Sequence, residues 1–147
     1  MFITSKPGLI NQLSAVVAGI LELAGPLHTT VKLAQGTFNP TPDSVPGDFT
    51  EADFTGYAAK TVTSWTTPEL DPGPAAKTLG GNLLHWAPSG TTVTNICTGY
   101  WIEDANGDYL GGEQFPAPIP MANTTDAITL IPQWQVAAAT WSGLLIP

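Results

Sequence analysis

At Pro26 the hydrophobic pattern of this chain changes period, and that switch constrains its fold more than any other feature. Before it, Leu9, Ile10, Leu13, Val16, Val17, Ile20, Leu21 and Leu23 recur at the spacing of one helix face. Pro7 suits a first helical turn, where its missing N–H costs nothing, and Gly25-Pro26 is a strong stop. The spacing predicts one amphipathic helix over residues 7–24. Its polar face includes Asn11, Gln12, Ser14 and Glu22 and carries a single charge. A face so sparsely charged is expected to be covered, either by its own domain or by neighbouring subunits. The same polar residues make the segment too polar to span a bilayer, which takes about twenty mostly apolar residues. They also argue against a cleaved leader.

After Pro26 the period is two for most of the remaining chain, the alternation of half-buried strands. Strands are expected over 28–33, with Val31 and Leu33 on one side, and over 55–65, 82–87, 92–103 and 126–136. Pro40, Pro42 and Pro46 block regular structure over 36–47. Residues 48–54 read as one short helical turn capped by Asp48 or Thr50, with Glu51 placed to reach back. Residues 66–81, rich in Pro, Gly and Thr, read as a surface loop. Asn106-Gly107 lies between β-forming runs and marks a tight hairpin, because both residue types tolerate positive φ. Residues 115–121 form a proline-punctuated crossing, and Pro132 confines the last strand to an edge or a bulge.

These elements make a mainly β fold, a single β-sandwich or β-barrel domain of about six to eight strands with an N-terminal amphipathic helix. The chain divides into the helix at 1–25, an assembly or attachment arm, then the β domain at 26–136 and an apolar C-terminal segment at 137–147. With 147 residues one core is the default. Fifteen glycines and fourteen prolines beside 43% hydrophobic residues describe a folded domain with many turns.

Twelve acidic residues face four basic ones, Lys6, Lys32, Lys60 and Lys77, and arginine is absent. A net charge of −8 without arginine is a poor match for a polyanion, so no nucleic-acid partner is expected. Cys97 is the sole cysteine, and its neighbours Asn95, Ile96, Thr98 and Gly99 offer no cation to activate a thiolate, so it reads as a packed strand residue. His28 and His85 fall in strands. Asp104, Asn106 and Asp108 alternate like the start of a calcium loop, with Glu103 and Glu113 nearby. The glycine comes before the sixth position, where a calcium loop needs it, and the flanks are strands, so a plain turn is the better reading. Carboxylate pairs such as Glu51 and Asp53, or Glu69 and Asp71, read as solvated loop residues. Trp65, Trp86, Trp101, Trp134 and Trp141, with Tyr57, Tyr100 and Tyr109, read as core or interface, with a carbohydrate platform as the alternative. No catalytic, cofactor or metal site is expected, and the chain reads as a non-enzyme.

One run is more specific. The stretch from Val31 to Val45, an apolar strand followed by the loop Asn39-Pro40-Thr41-Pro42, leads into Asp48-Phe49-Thr50-Glu51-Ala52-Asp53-Phe54-Thr55-Gly56-Tyr57-Ala58. It resembles a segment of small virion structural proteins of tailed bacteriophages and prophages. Gly99-Tyr100-Trp101-Ile102 and the stretch from Asp126 to Trp134 are similar to that group's closing strands, and the likeness covers most of residues 28–136. It implies a capsid decoration, cement or head-fibre protein at the capsid surface of the virion, with no catalytic residues to carry over. The partners implied are further copies of the chain, in a homotrimer, and the major capsid protein or another virion component. A tail, baseplate or fibre component that binds a receptor or carbohydrate is the alternative. The helix and the C-terminal segment lie outside the resemblance. Leu9, Leu13, Val16, Val17, Ile20, Trp141, Leu144 and Leu145 are the expected assembly interface on hydrophobicity alone.

Overall fold

The computed structural model of the chain describes residues 3–4, 29–62, 64, 69–71, 75–79, 82–91 and 94–136. These are mainly β. In chain order the strands are β1 (Ile3–Thr4), β2 (Thr29–Gln35), β3 (Thr50–Glu51), β4 (Lys60–Val62), β5 (Glu69–Asp71), β6 (Ala75–Leu79), β7 (Leu84–Trp86), β8 (Asn95–Glu103), β9 (Tyr109–Met121), β10 (Ile128–Leu130) and β11 (Gln133–Val136). The expected helix over 7–24, the expected interface residues, His28, Trp65 and Trp141 lie outside the described residues.

A six-stranded antiparallel sheet is the frame. Its order is β1-β9-β8-β2-β3, with β4 also pairing β2. The alternation that predicted β2 sorts its side chains as expected: Val31 and Leu33 are fully buried on one face, opposite Ile102 and Tyr100 of β8. That face builds the larger core with Val62, Leu110 and Met121, closed by Leu84, Trp86 and Ile128 of a two-stranded β7/β10 ribbon. The opposite face holds a smaller cluster of Ala34, Phe38, Trp101 and Tyr109, with Phe49 against it. No strand covers that cluster among the described residues; the irregular loop over 36–49 supplies Phe38 and Phe49. Phe38 fits there because Gly99 and Gly112, on adjacent strands, leave room for its ring. A Cβ at Gly99 would lie 2.5 Å from that ring and from the Glu113 carbonyl oxygen.

The β8/β9 hairpin carries the strongest local code. Its loop spans residues 104–108 and is organised by Asp104, whose Oδ1 accepts hydrogen bonds from the N–H groups of Asn106 (2.8 Å) and Asp108 (2.9 Å). Gly107 takes the positive φ, +85°. The hairpin falls at Asn106-Gly107 as expected, and its loop begins at Asp104 because that side chain captures the backbone before Asn106. Asp126 does the same between β9 and β10, accepting from Ala122 and Asn123 at 2.8 Å each.

Four local expectations are corrected. The helical turn comes earlier than 48–54, as a 3-10 turn at Pro46–Asp48. Pro46 supplies its φ and Asp48 Oδ2 accepts from the Val45 N–H at 2.9 Å. Thr50 and Glu51 instead pair with Gln35 and Ala34. The loop expected over 66–81 contains the antiparallel pair β5/β6, extended by β11. Its Pro72-Gly73-Pro74 falls between the two strands, so the breakers that suggested a loop separate short strands. Residues 115–121 belong to β9 rather than to a crossing. Between the pairs Cys97–Ile119 and Gly99–Gln114, β8 has only Thr98 whereas β9 has residues 115–118. Pro116 and Pro118 sit in this bulge, where no ladder N–H is required of them. Finally, Pro132 divides the last strand in two, β10 pairing β7 and β11 pairing β6.

Candidate functional site

Two polar constellations lie on the sheet. The first is a brace on the smaller-core face and the adjoining edge of β2. Lys32 Nζ sits 3.3 Å from Glu103 Oε2 and 3.5 Å from Glu51 Oε2. Trp101 donates its indole N–H to Glu103 Oε1 at 2.8 Å, so the buried Glu103 carboxylate is held on both oxygens. Tyr57 donates its hydroxyl to Glu51 Oε1 (3.0 Å) and accepts the Leu33 N–H (3.1 Å), which joins the edge of β2 to the 52–58 segment. Burial works against the charge on Lys32, but Glu103 and Glu51 together outweigh it and raise the lysine pKa above 10.5. Burial, followed by the Glu51 charge, pushes the Tyr57 hydroxyl far up. Asn95, buried at the start of β8, continues the brace. Its side-chain oxygen accepts from the N–H groups of Asp53 (2.7 Å) and Phe54 (3.0 Å), and its amide donates to Asp53 Oδ1 (2.9 Å). Glu51 thus lies in a strand and is tied to Lys32 and Tyr57, whereas Asp53 is an exposed loop residue as expected, bonded to Asn95.

The second constellation lies on the larger-core face, where the β9 bulge opens a pocket of about 450 Å³ between the sheet and the end of β10. Tyr100 and Glu113 are directly opposed in the β8/β9 ladder, and the tyrosine hydroxyl donates to Glu113 Oε2 at 3.0 Å. Gln133 Nε2 approaches both carboxylate oxygens at 3.4 Å, and the Gln133 N–H donates to the Tyr100 hydroxyl at 3.3 Å. Phe115, Pro116, Leu130 and Ile131 complete the walls. Burial first, then the charge of Glu113, pushes the Tyr100 hydroxyl far up, so it stays a proton donor. Among the described residues no cation pairs with Glu113. The pocket therefore offers a carboxylate, oriented by a tyrosine and an amide, beside the apolar side chains of Phe115, Pro116, Leu130 and Ile131.

The remaining candidates are scattered. Cys97 is fully buried in β8, and burial pushes its thiol up to about 11, as suits a packed strand residue. His85 is exposed on β7, with Nδ1 2.8 Å from the hydroxyl of its cross-strand neighbour Thr129. Asp104, Asn106 and Asp108 form a turn, and among the described residues no group of three or more His, Cys, Asp or Glu side chains is arranged to hold a metal. Trp86 and Trp101 are buried and bonded through their indole N–H groups, Trp86 to the Ala58 carbonyl at 2.8 Å, which removes both from any exposed aromatic platform. Among the described residues no helix is long and apolar enough to cross a membrane.

Sequence inspection does not single out the pocket. Tyr100 and Glu113 are thirteen residues apart, and Gln133 belongs to another ladder. The usable signal is the Asn106-Gly107 turn: a hairpin centred between these two residues places Tyr100 opposite Glu113. In comparison with known proteins, no family model, no curated protein and no solved structure matches the chain.

Proposed function

We propose that the chain is a non-enzymatic structural protein of a tailed-bacteriophage virion, a capsid decoration or cement protein. In this reading a β-sandwich body forms a homotrimer and binds the major capsid protein at the shell surface. The observation that carries it is what the run 48–58, the specific part of the resemblance, does in the fold. Ala52 and Phe54 enter the larger core, Glu51 pairs with Lys32, Asp53 bonds Asn95, and Tyr57 ties Glu51 to the backbone of β2. The chemistry-bearing residues of the run are thus bound up in holding strands together, as befits a rigid structural body. The sandwich description is supported by the β7/β10 ribbon laid on one face of the sheet.

Apolar side chains left on the surface, Leu83, Ile96, Ile131 and Val45, are available for contacts between subunits or with the shell. The net charge of −8 favours solubility of the assembled particle. Leu9, Leu13, Val16, Val17, Ile20, Trp141, Leu144 and Leu145 are assigned to assembly on hydrophobicity. Deletion of residues 1–25 is a poor test of that role, because it also removes β1 from its pairing with Gly111 and Gly112 of β9. The double change Leu13→Asp, Val17→Asp leaves β1 in place. Co-sedimentation of the purified protein with empty shells of the virion's major capsid protein tests the proposal. Saturable binding at a fixed ratio, lost in the double variant, is expected. Absence of co-sedimentation by the intact protein contradicts attachment to the shell.

A further inference from the structure

The pocket at the β9 bulge goes beyond an assembly role and does not depend on it. Its lining includes the Glu113 carboxylate, whose Oε2 is bonded by the Tyr100 hydroxyl and whose two oxygens are approached more weakly by Gln133. A carboxylate offers about four acceptor directions, so this arrangement leaves acceptor capacity on the side of the pocket. The walls are apolar and partly aromatic: Phe115 and Leu130 are half-buried, and Ile131 is half-exposed at the rim. The volume of about 450 Å³ is suited to a side chain or small ligand rather than to a single ion.

We propose that this pocket receives an arginine side chain from a different polypeptide. The aliphatic stem of such a residue covers Leu130 and Ile131, its guanidinium plane stacks on Phe115, and its N–H fork meets the Glu113 carboxylate. Arginine fits better than lysine because a planar, weakly hydrated cation both stacks on aromatic faces and binds a carboxylate through two parallel bonds. The chain contains no arginine, so a second copy cannot provide the occupant. Its net charge of −8 favours the approach of a basic partner.

The test uses the full-length protein and three small probes, N-acetyl-arginine amide, N-acetyl-citrulline amide and N-acetyl-lysine amide, followed by amide chemical shifts in two-dimensional NMR. Citrulline keeps the length and planarity of arginine without its charge. The arginine probe is expected to shift residues 113, 115, 130 and 131 in a saturable manner, about fivefold more tightly than either control. Glu113→Gln, which still accepts from Tyr100, is expected to erase the advantage over citrulline. Ile131→Lys, which leaves the Tyr100–Glu113 bond untouched and puts a tethered cation at the rim, is expected to do the same. Equal affinity for arginine and citrulline, or shifts that avoid these residues, overturns the proposal. Because the measurement is made on the protein alone, its outcome is separate from shell binding: either result can accompany attachment or its absence.

Discussion

One face of the central sheet is closed by strands, and the other by a loop. On the first, Val31, Leu33, Ile102 and Leu110 join Leu84, Trp86 and Ile128 in one core, and the alternation of side chains along β2 and along Tyr100–Ile102 of β8 is enough to bury them. On the second, Lys32, Ala34, Trp101 and Glu103 lie on the opposite side of the same strands, and a loop with one 3-10 turn at Pro46–Asp48 brings Phe38 and Phe49 over them. The first face is held by apolar area, whereas the second needs particular devices: two glycines under one ring, a cluster of aromatics with centroids 4.7 to 6.3 Å apart, and an ion-paired lysine. Burial that follows a repeating pattern tolerates exchange of one apolar residue for another. A face built from specific fits does not.

Substitutions can break that contrast in order of their expected cost. On the strand-closed face, Leu33→Ala leaves a cavity between β8 and the 52–58 segment and is expected to cost about 3 kcal/mol in urea unfolding, while Leu33→Met is expected to cost under about 1.5 kcal/mol. On the loop-closed face even one methyl group is costly. Gly99→Ala meets the Phe38 ring and the Glu113 carbonyl, and a loss of about 2 kcal/mol is expected. If Gly99→Ala proves neutral, Phe38 is not seated on the glycines and the contrast fails.

The ion pair gives a smaller and pH-dependent effect. Lys32→Met removes the only cation near the buried Glu103 among the described residues. Lys32 is itself a quarter exposed, so about 1 kcal/mol at neutral pH is expected after allowance for solvent screening. Because the folded-state pKa of Lys32 is raised, its contribution is complete below the ordinary lysine value of 10.5 and is lost as pH climbs through the higher folded value. Wild-type and Lys32→Met stabilities measured across that alkaline range are expected to converge; a constant difference contradicts the pairing. The least perturbing probe is Cys97. Buried and with its thiol pushed up to about 11, it is expected to resist alkylation at pH 8 in the native protein and to react at once in denaturant.

The same contrast explains what could be read in the sequence. β2, β7, β8 and the turn at Asn106-Gly107 are legible because period-two burial and turn chemistry are local. The brace is less so. Asn95 looks like an ordinary polar residue at a strand start, yet its amide substitutes for strand pairing to Asp53 and Phe54, a contact more than forty residues away. Pro116 and Pro118 point away from a strand, and only the bulge opposite Thr98 reconciles them with β9. The pocket at Glu113 is a consequence of that bulge, so it is hidden for the same reason. In 69–79 the strands are short and separated by breakers, and pairing with β11 from the far end of the chain supplies what local propensity does not.

The most direct measurement of the assembly role is the absolute molar mass of the full-length protein by light scattering across a range of concentrations. A stable species at three times the 15.4 kDa chain mass, reduced to the single-chain mass by Leu13→Asp, Val17→Asp, is the expected result. A monomer at every concentration would contradict the homotrimer.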